Sequence, residues 1–336
     1  MKNKKVLIIF KYPRGNWNNN IIAKFSNYYV TKHLYLNELK NNNYIETIKE
    51  INKFIKNENI EIIVFDVDYF KFINLFFINN INCKTKILWT GDDLELHEMN
   101  AITASACDIV LSACPLSVLK YREKGFESFY LDGENTKLPK DQNDNTERDI
   151  DVLFFGDLKS APYRKEFLDY IVNKGIKLKN VGHDQLKIGL SADELSKLIL
   201  RSKIVLNLSR TRTTSVKNFT SKNVYKFYYQ LKGRILMAGL HGAACVSEYS
   251  PGQEIFFNKE QIFSFYTKEE CAEILKKILD DKKLLAQYTK NFTSRVLELS
   301  NDKNNFEPIY NSIEKFNYKQ VKIVEVPYWY LRISAK

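Results

Sequence analysis

The feature that most restricts the fold is an alternation. Short, almost wholly apolar runs are separated by longer stretches with apolar residues at helical spacing, throughout most of the chain. Val6 to Phe10, Ile62 to Phe65, Lys86 to Trp89, Ile109 to Ser112 and Ser128 to Leu131 read as buried parallel strands, apolar on both faces because helices cover both. Between them Ile45, Ile48, Ile51 and Ile55 recur at three or four residues and predict a helix over 44–57.

The pattern stops at Asp132 to Asp149, where Gly133, Pro139 and a run of Asp, Asn, Gln and Lys carry no apolar period, which reads as a linker. It then restarts. Asp151 to Phe155, Lys177 to Val181, Lys203 to Leu208, Ala243 to Ser247 and Gln261 to Phe265 read as strands. Pro162 opens a helix that Gly175 closes, Ser191 with Glu194 and Thr267 with Glu270 form capping boxes, and another helix is expected around Tyr225 to Leu240. The expected organisation is a Rossmann-like domain over 1–133, a linker over 134–149, a second over 150–320, and a tail over 321–336 that packs back on the first. The fold class is α/β: two doubly wound domains facing across a cleft.

Charge narrows the function. The chain holds 51 Lys+Arg against 40 Asp+Glu, a net charge of +11. Nine basic residues and no acid lie between Arg201 and Arg234 (Arg201, Lys203, Arg210, Arg212, Lys217, Lys222, Lys226, Lys232, Arg234), so the other 302 residues are nearly balanced at +2. One cationic segment fits a local anion such as a phosphate. Nucleic acid is not expected as a partner, because base-stacking and groove-reading motifs are absent. Cys83, Cys107, Cys114, Cys245 and Cys271 are odd in number and lack a C-x-x-C pair, which excludes a disulfide framework and places the chain in a reducing cytoplasm. No secretory leader or membrane span is expected, and the scattered histidines predict no metal site.

In parallel βα folds ligands sit at the carboxyl ends of strands, so the strand-to-helix loops carry the candidates. The loop from Gly156 to Arg164 combines a glycine at a strand end, a helix N-terminus, and the cations Lys159 and Arg164. In the first half, Arg14 and Gly15 follow the first strand, Asp66, Asp68 and Tyr69 the next apolar run, and Asp92, Asp93 and His97 the one after.

The run from Leu231 to Glu254, with Lys232-Gly-Arg234, a helix ending Gly-Ala-Ala-Cys245, and Ser-Glu-Tyr-Ser-Pro-Gly-Gln-Glu254, resembles the GT-B glycosyltransferases related to spore maturation protein B. Leu88-Trp-Thr-Gly-Asp-Asp93, Cys107 to Ser112 and Ser117 to Gly125 are similar to the same family. The resemblance spans roughly residues 86 to 297. It implies a GT-B fold and transfer of a sugar from a nucleotide-diphosphate donor to a hydroxyl on a glycan, a lipid-linked or a protein acceptor, with no resident cofactor and no metal. Under it Tyr249, Ser250, Pro251 and Gly252 match a turn approaching the donor phosphates, Lys232 and Arg234 a basic pair beside it, Glu254 the following acid, and Arg164 an arginine facing the diphosphate. Gly156, Lys159 and Arg210 complete the expected phosphate site, because a departing diphosphate needs its growing charge stabilised.

On the acceptor side the candidates are Arg14, Gly15, Asp66 and Asp68, and an inverting transfer would draw its base from Asp92, Asp93 or His97. Asp92 and Asp93 equally suit capping of the next helix. Asp66-Val67-Asp68 spells the metal-binding D-x-D of another glycosyltransferase fold, a three-residue pattern that also arises by chance. One departure stands out: Met237 occupies a position where the resembled family carries a glutamate that accepts from the ribose, which Met does poorly. It motivates a competing reading, a nucleotide-sugar-binding or scaffold protein with a decayed site. His241 suits either a helix C-terminal cap or a substrate contact. Tyr328-Trp-Tyr330 in the tail suits docking on the first domain, with a dimer contact or peripheral attachment to the inner membrane face as the alternative.

Overall fold

A computed structural model of the chain describes residues 4–13, 16–39, 43–66, 73–91, 93–132, 147–159, 161–181, 190–210, 228–315 and 324–326. The chain divides into two compact units, Met1–Gly133 with Asp302–Lys336, and Glu134–Asn301.

The first unit is a six-stranded sheet in the order β2-β1-β3-β4-β5-β6, from β1 (Lys5–Phe10), β2 (Val30–Tyr35), β3 (Ile62–Asp66), β4 (Thr85–Thr90), β5 (Ile109–Ser112) and β6 (Glu127–Tyr130). Every pairing is parallel. Alternate strand residues serve opposite faces: Leu7, Ile9, Ile63, Phe65, Leu88 and Val110 feed one core, and Val6, Ile8, Ile62, Val64, Ile87 and Ile109 the other. That double burial is why the strands read as unbroken apolar runs. The strand absent from the sequence reading is β2, an edge strand whose residues are only part-buried or exposed. Its composition, Val-Thr-Lys-His-Leu-Tyr, lacks the apolar continuity of the central strands.

The second unit has five parallel strands ordered β11-β10-β9-β7-β8, from β7 (Ile150–Phe154), β8 (Leu178–Asn180), β9 (Ser202–Asn207), β10 (Ala244–Glu248) and β11 (Phe263–Phe265). Two cores again flank it, Leu153, Val205 and Cys245 facing one and Val152, Ile204 and Val246 the other. The strand order reverses direction between β7 and β9, the place where such sheets open a ligand crevice. Both expected capping boxes form. Pro162 opens its helix, and Gly175 takes φ 83° beyond its end.

Two boundaries differ from expectation. The second unit ends at Asn301, not at 320. The helices Asp302–Asn305 and Glu307–Lys315 belong to the first unit, where Phe306, Ile309 and Ile313 enter the core beside Val6, Ile21 and Phe25. Phe306 meets Phe25 edge-on at 4.9 Å, and Glu314 pairs with Lys4 at 2.7 Å. From the tail, Val324 packs on the opposite core of the same unit, while Tyr328 to Tyr330 lie outside the described residues. The helix expected around Tyr225 to Leu240 is Arg234–Leu240. Ahead of it Tyr229 bridges to Arg210 and the Gln230 N–H donates to Ser209, so this stretch follows a neighbouring loop instead of coiling. All five cysteines are free thiols. Among the described residues no helix is long and apolar enough to cross a membrane.

Candidate functional site

The loops after β7, β9 and β10 bring most of the second-unit candidates together. Gly156 opens the loop after β7 at φ 145°, a positive-φ conformation that favours glycine. A Cβ there would lie 2.6 Å from Arg234 Nη2 and 3.6 Å from Arg164 Nη1. The missing side chain is thus what admits the Arg234 guanidinium to the strand end, while Arg164 would stand at ordinary contact distance. Arg234, the first residue of its helix, donates to the Leu208 carbonyl at 3.4 Å and lies over the Phe154 ring at 5.4 Å.

Arg164 is turned inward. It is 2 % exposed, and it donates to the carbonyls of Asp157 at 2.8 Å and Arg210 at 3.2 Å. Its donors hold the β7 loop and the Arg210 carbonyl together. Arg210 directs its N–H to Glu248 Oε2 at 2.9 Å, at the end of β10. Glu248 is buried, and burial pushes its carboxyl up, opposed by the Arg210 and Ser209 contacts and the charges of Arg210 and Arg164. Glu248 was not among the sequence candidates for the phosphate site; its place as the last residue of a buried strand, just before the Ser-Pro-Gly turn, was the available signal.

The turn follows at once. Gly252 takes φ 90°, Ser250 is fully buried, and Pro251 is part-buried. Ser250 Oγ and Gln253 Oε1 are buried polar atoms without a hydrogen-bond partner among the described residues. Tyr249 bonds Glu254 through its hydroxyl, which pushes the phenol up to about 12, and its ring lies 5.0 Å from that of Tyr266, 69 % exposed. Lys232 reaches Gln230 Oε1 at 3.4 Å, and Lys159 is exposed on the β7 loop.

The cationic segment divides in three dimensions. Arg201 and Lys203 sit at the opposite, starting end of β9, where Arg201 pairs with Asp149 and Lys203 with Asp151 at 2.5 Å. The acids missing from the sequence window are supplied by the neighbouring strand. Arg210, Lys232 and Arg234 remain at the ligand end, and Arg212, Lys217, Lys222 and Lys226 lie outside the described residues.

Met237 is part-buried and packs against the second unit's core. His241 caps that helix: Nδ1 bonds the Met237 carbonyl and Nε2 the Ser196 hydroxyl, each at 2.7 Å, with the ring 1 % exposed. Of its two expected roles the structure assigns the cap.

Three of the first-unit candidates, Asp66, Asp93 and His97, fall among the described residues, and all three are buried. Asp93 is wholly buried and accepts from Ser112 Oγ at 2.6 Å, Asn100 Nδ2 at 2.9 Å and the Tyr121 hydroxyl at 3.0 Å. His97 is 2 % exposed, its ring lies 4.5 Å from that of Tyr121, and burial pulls its pKa down to about 4. A general base must come within about 3 Å of its hydroxyl; here the Asp93 oxygens are engaged by Ser112, Asn100 and Tyr121, and His97 lies buried against the Tyr121 ring. Asp66 is likewise buried at the end of β3. Asp92, Arg14, Gly15 and Asp68 lie outside the described residues. Among the described residues no three His, Cys, Asp or Glu side chains gather as a metal site.

Comparison with known proteins agrees with this geometry. Residues 160–305 match the family model described as glycosyl transferase-like. No curated protein matches the sequence. Among solved structures the chain is similar to Anabaena HepE in complex with UDP and glucose, at 13% identity and a TM-score of 0.63, over 94% of this chain and 100% of that one. Sucrose-phosphate synthase from Thermosynechococcus elongatus matches at 11% identity and a TM-score of 0.60, over 93% and 99%. The S. aureus MnaA–UDP co-structure matches at 11% and 0.55, over 93% and 96%. The two parallel sheets with alternating helices are therefore the GT-B fold found in glycosyltransferases, and most of the second unit carries the glycosyl transferase-like sequence pattern.

Proposed function

We propose that the chain is a glycosyltransferase that takes a sugar from a nucleotide-diphosphate donor and passes it to an acceptor hydroxyl. The observation that carries the reading is the approach of Arg234 to the side-chain-free Gly156 at the sheet's switch point, with its guanidinium on the Leu208 carbonyl two residues before Arg210. Cleaving a sugar–phosphate bond leaves charge on the diphosphate, and Arg234, Arg210 and Lys232 are the cations to meet it. The turn at Ser250 to Gly252 would bring backbone N–H groups and the buried Ser250 hydroxyl to the same anion. UDP in the HepE and MnaA complexes supports a uridine donor, and the run from Lys232 to Glu254 supports kinship with the spore maturation protein B group.

The test is a thermal-shift and calorimetric panel of UDP, GDP, ADP, CMP and dTDP, followed by the corresponding nucleotide sugars. UDP should raise the melting temperature most, and Arg234→Ala and Lys232→Ala should each weaken its binding. Unchanged affinity in both variants would sink the assignment. Donor binding with neither slow hydrolysis nor transfer would favour the non-catalytic reading that Met237 motivates.

A further inference from the structure

Arg210 is held by Glu248, Arg164 and Tyr163, and Tyr163 has no part in the expected phosphate site. The Arg210 N–H donates to Glu248 at 2.9 Å. Its carbonyl accepts from the Tyr163 hydroxyl at 2.7 Å and from Arg164 Nη2 at 3.2 Å. Its guanidinium carbon stands 3.5 Å from the centre of the Tyr163 ring. That separation places the cation on the ring face, where the ring quadrupole attracts it and the N–H donors project outward around the rim. Tyr163 is fixed in turn, because its hydroxyl accepts from Arg164 Nε at 3.3 Å while donating to Arg210. One aromatic residue in the first turn of the helix Pro162–Asn173 therefore grips both the backbone and the side chain of an arginine from a different loop.

We infer that Tyr163 is a positioning residue for the donor: it presents the Arg210 guanidinium, already ordered, to an anionic group of the nucleotide diphosphate. The inference rests on the donor-site reading above and adds a residue outside it. An arginine free in solvent must surrender its side-chain freedom on binding, and one already stacked has surrendered most of it. Stacking also suits arginine specifically, since a lysine ammonium offers neither the plane nor the rim of donors.

The experiment is a double-mutant cycle on UDP affinity by calorimetry, with melting temperatures recorded alongside. Tyr163→Phe keeps the ring and should bind UDP within about threefold of the native chain. Tyr163→Leu removes the stacking face and should weaken binding roughly three- to thirtyfold, the span expected of a cation–π contact. In an Arg210→Ala background Tyr163→Leu should add nothing. An equal loss from Tyr163→Leu in both backgrounds overturns the inference, as does an Arg210→Ala variant that binds UDP like the native chain. If Tyr163→Leu does not fold, Tyr163→Phe decides: a loss well beyond threefold overturns the ring's role. A native chain that binds none of the five nucleotides overturns the donor-site reading and this inference with it, whereas native binding with Arg234→Ala impaired and no Tyr163–Arg210 coupling overturns this inference alone.

Discussion

Arg234 occupies the space that a side chain on residue 156 would need. Its Nη2 is 2.6 Å from the position of a Cβ there, and Gly156 also sits at φ 145°. Gly156→Ala should therefore displace the guanidinium and strain the β7 loop, at a cost of order 1–3 kcal/mol. The expected outcome is a UDP affinity lowered by about tenfold or more, read by calorimetry. Because an alanine at residue 234 removes the clash but not the backbone strain, the Gly156→Ala effect should be smaller in an Arg234→Ala background.

Asp93 has three side-chain donors and no exposed surface, so its removal takes the acceptor from Asn100 and Tyr121 and leaves Ser112 with its Cys114 contacts. Unpaired buried polar groups cost about 1–3 kcal/mol each. Asp93→Ala should lose at least about 2 kcal/mol of first-unit stability, a fall of roughly 4–8 °C in melting temperature for a unit of this size, while UDP affinity stays native. A variant that melts like the native chain yet fails in transfer would restore Asp93 as a catalytic candidate.

His97 is kept neutral by burial, with a pKa near 4 against an ordinary 6.5; Asp93 and Glu98 favour its charged form, and Lys120 and Lys124 oppose it. Between those two values the unfolded chain binds the extra proton and the folded chain does not. First-unit stability should be constant above about pH 6.5 and fall steadily as the pH drops toward 4. Melting curves across that interval should show the slope, and His97→Leu should flatten it. His241 is also lowered by burial and leaves a residual slope in the second unit, which His241→Gln would remove.

Gly239 lets two helices of the second unit touch: a Cβ there would stand 2.5 Å from Val296 Cγ2. Gly239→Ala should overpack the contact by about 1–3 kcal/mol. Adding Val296→Ala, which vacates the space, should recover part of that loss in a denaturant titration. No recovery would show that the helices separate for another reason.

The central strands were legible because burial on both faces leaves no polar position to blur the run; Val6 to Phe10 is the clearest case. The capping boxes at Ser191 and Thr267 were legible because the residues that bond are only three apart. What stayed hidden involved distance along the chain. Asp93 looks like any loop carboxylate until Ser112 and Tyr121 arrive from other elements, and nothing in the run around Arg164 shows that the Arg210 carbonyl is brought to it. The acid-free segment looked wholly cationic because Asp149 and Asp151 come from the strand beside it. Tyr163 gave no sign at all: a tyrosine in a helix's first turn is unremarkable until Arg210 lies on its ring.

The return of the helix Glu307–Lys315 to the first unit sets an order of events during synthesis. Every residue of the second unit leaves the ribosome before Phe306, Ile309 and Ile313 do, so the second unit can close while the first still lacks part of its core. Until then the rings of Phe25 and Tyr28 are uncovered on that side. The unit made first is thus the one that finishes last, and a nascent chain halted near residue 301 presents a sticky aromatic face that the helix Glu307–Lys315 and Phe306 later cover.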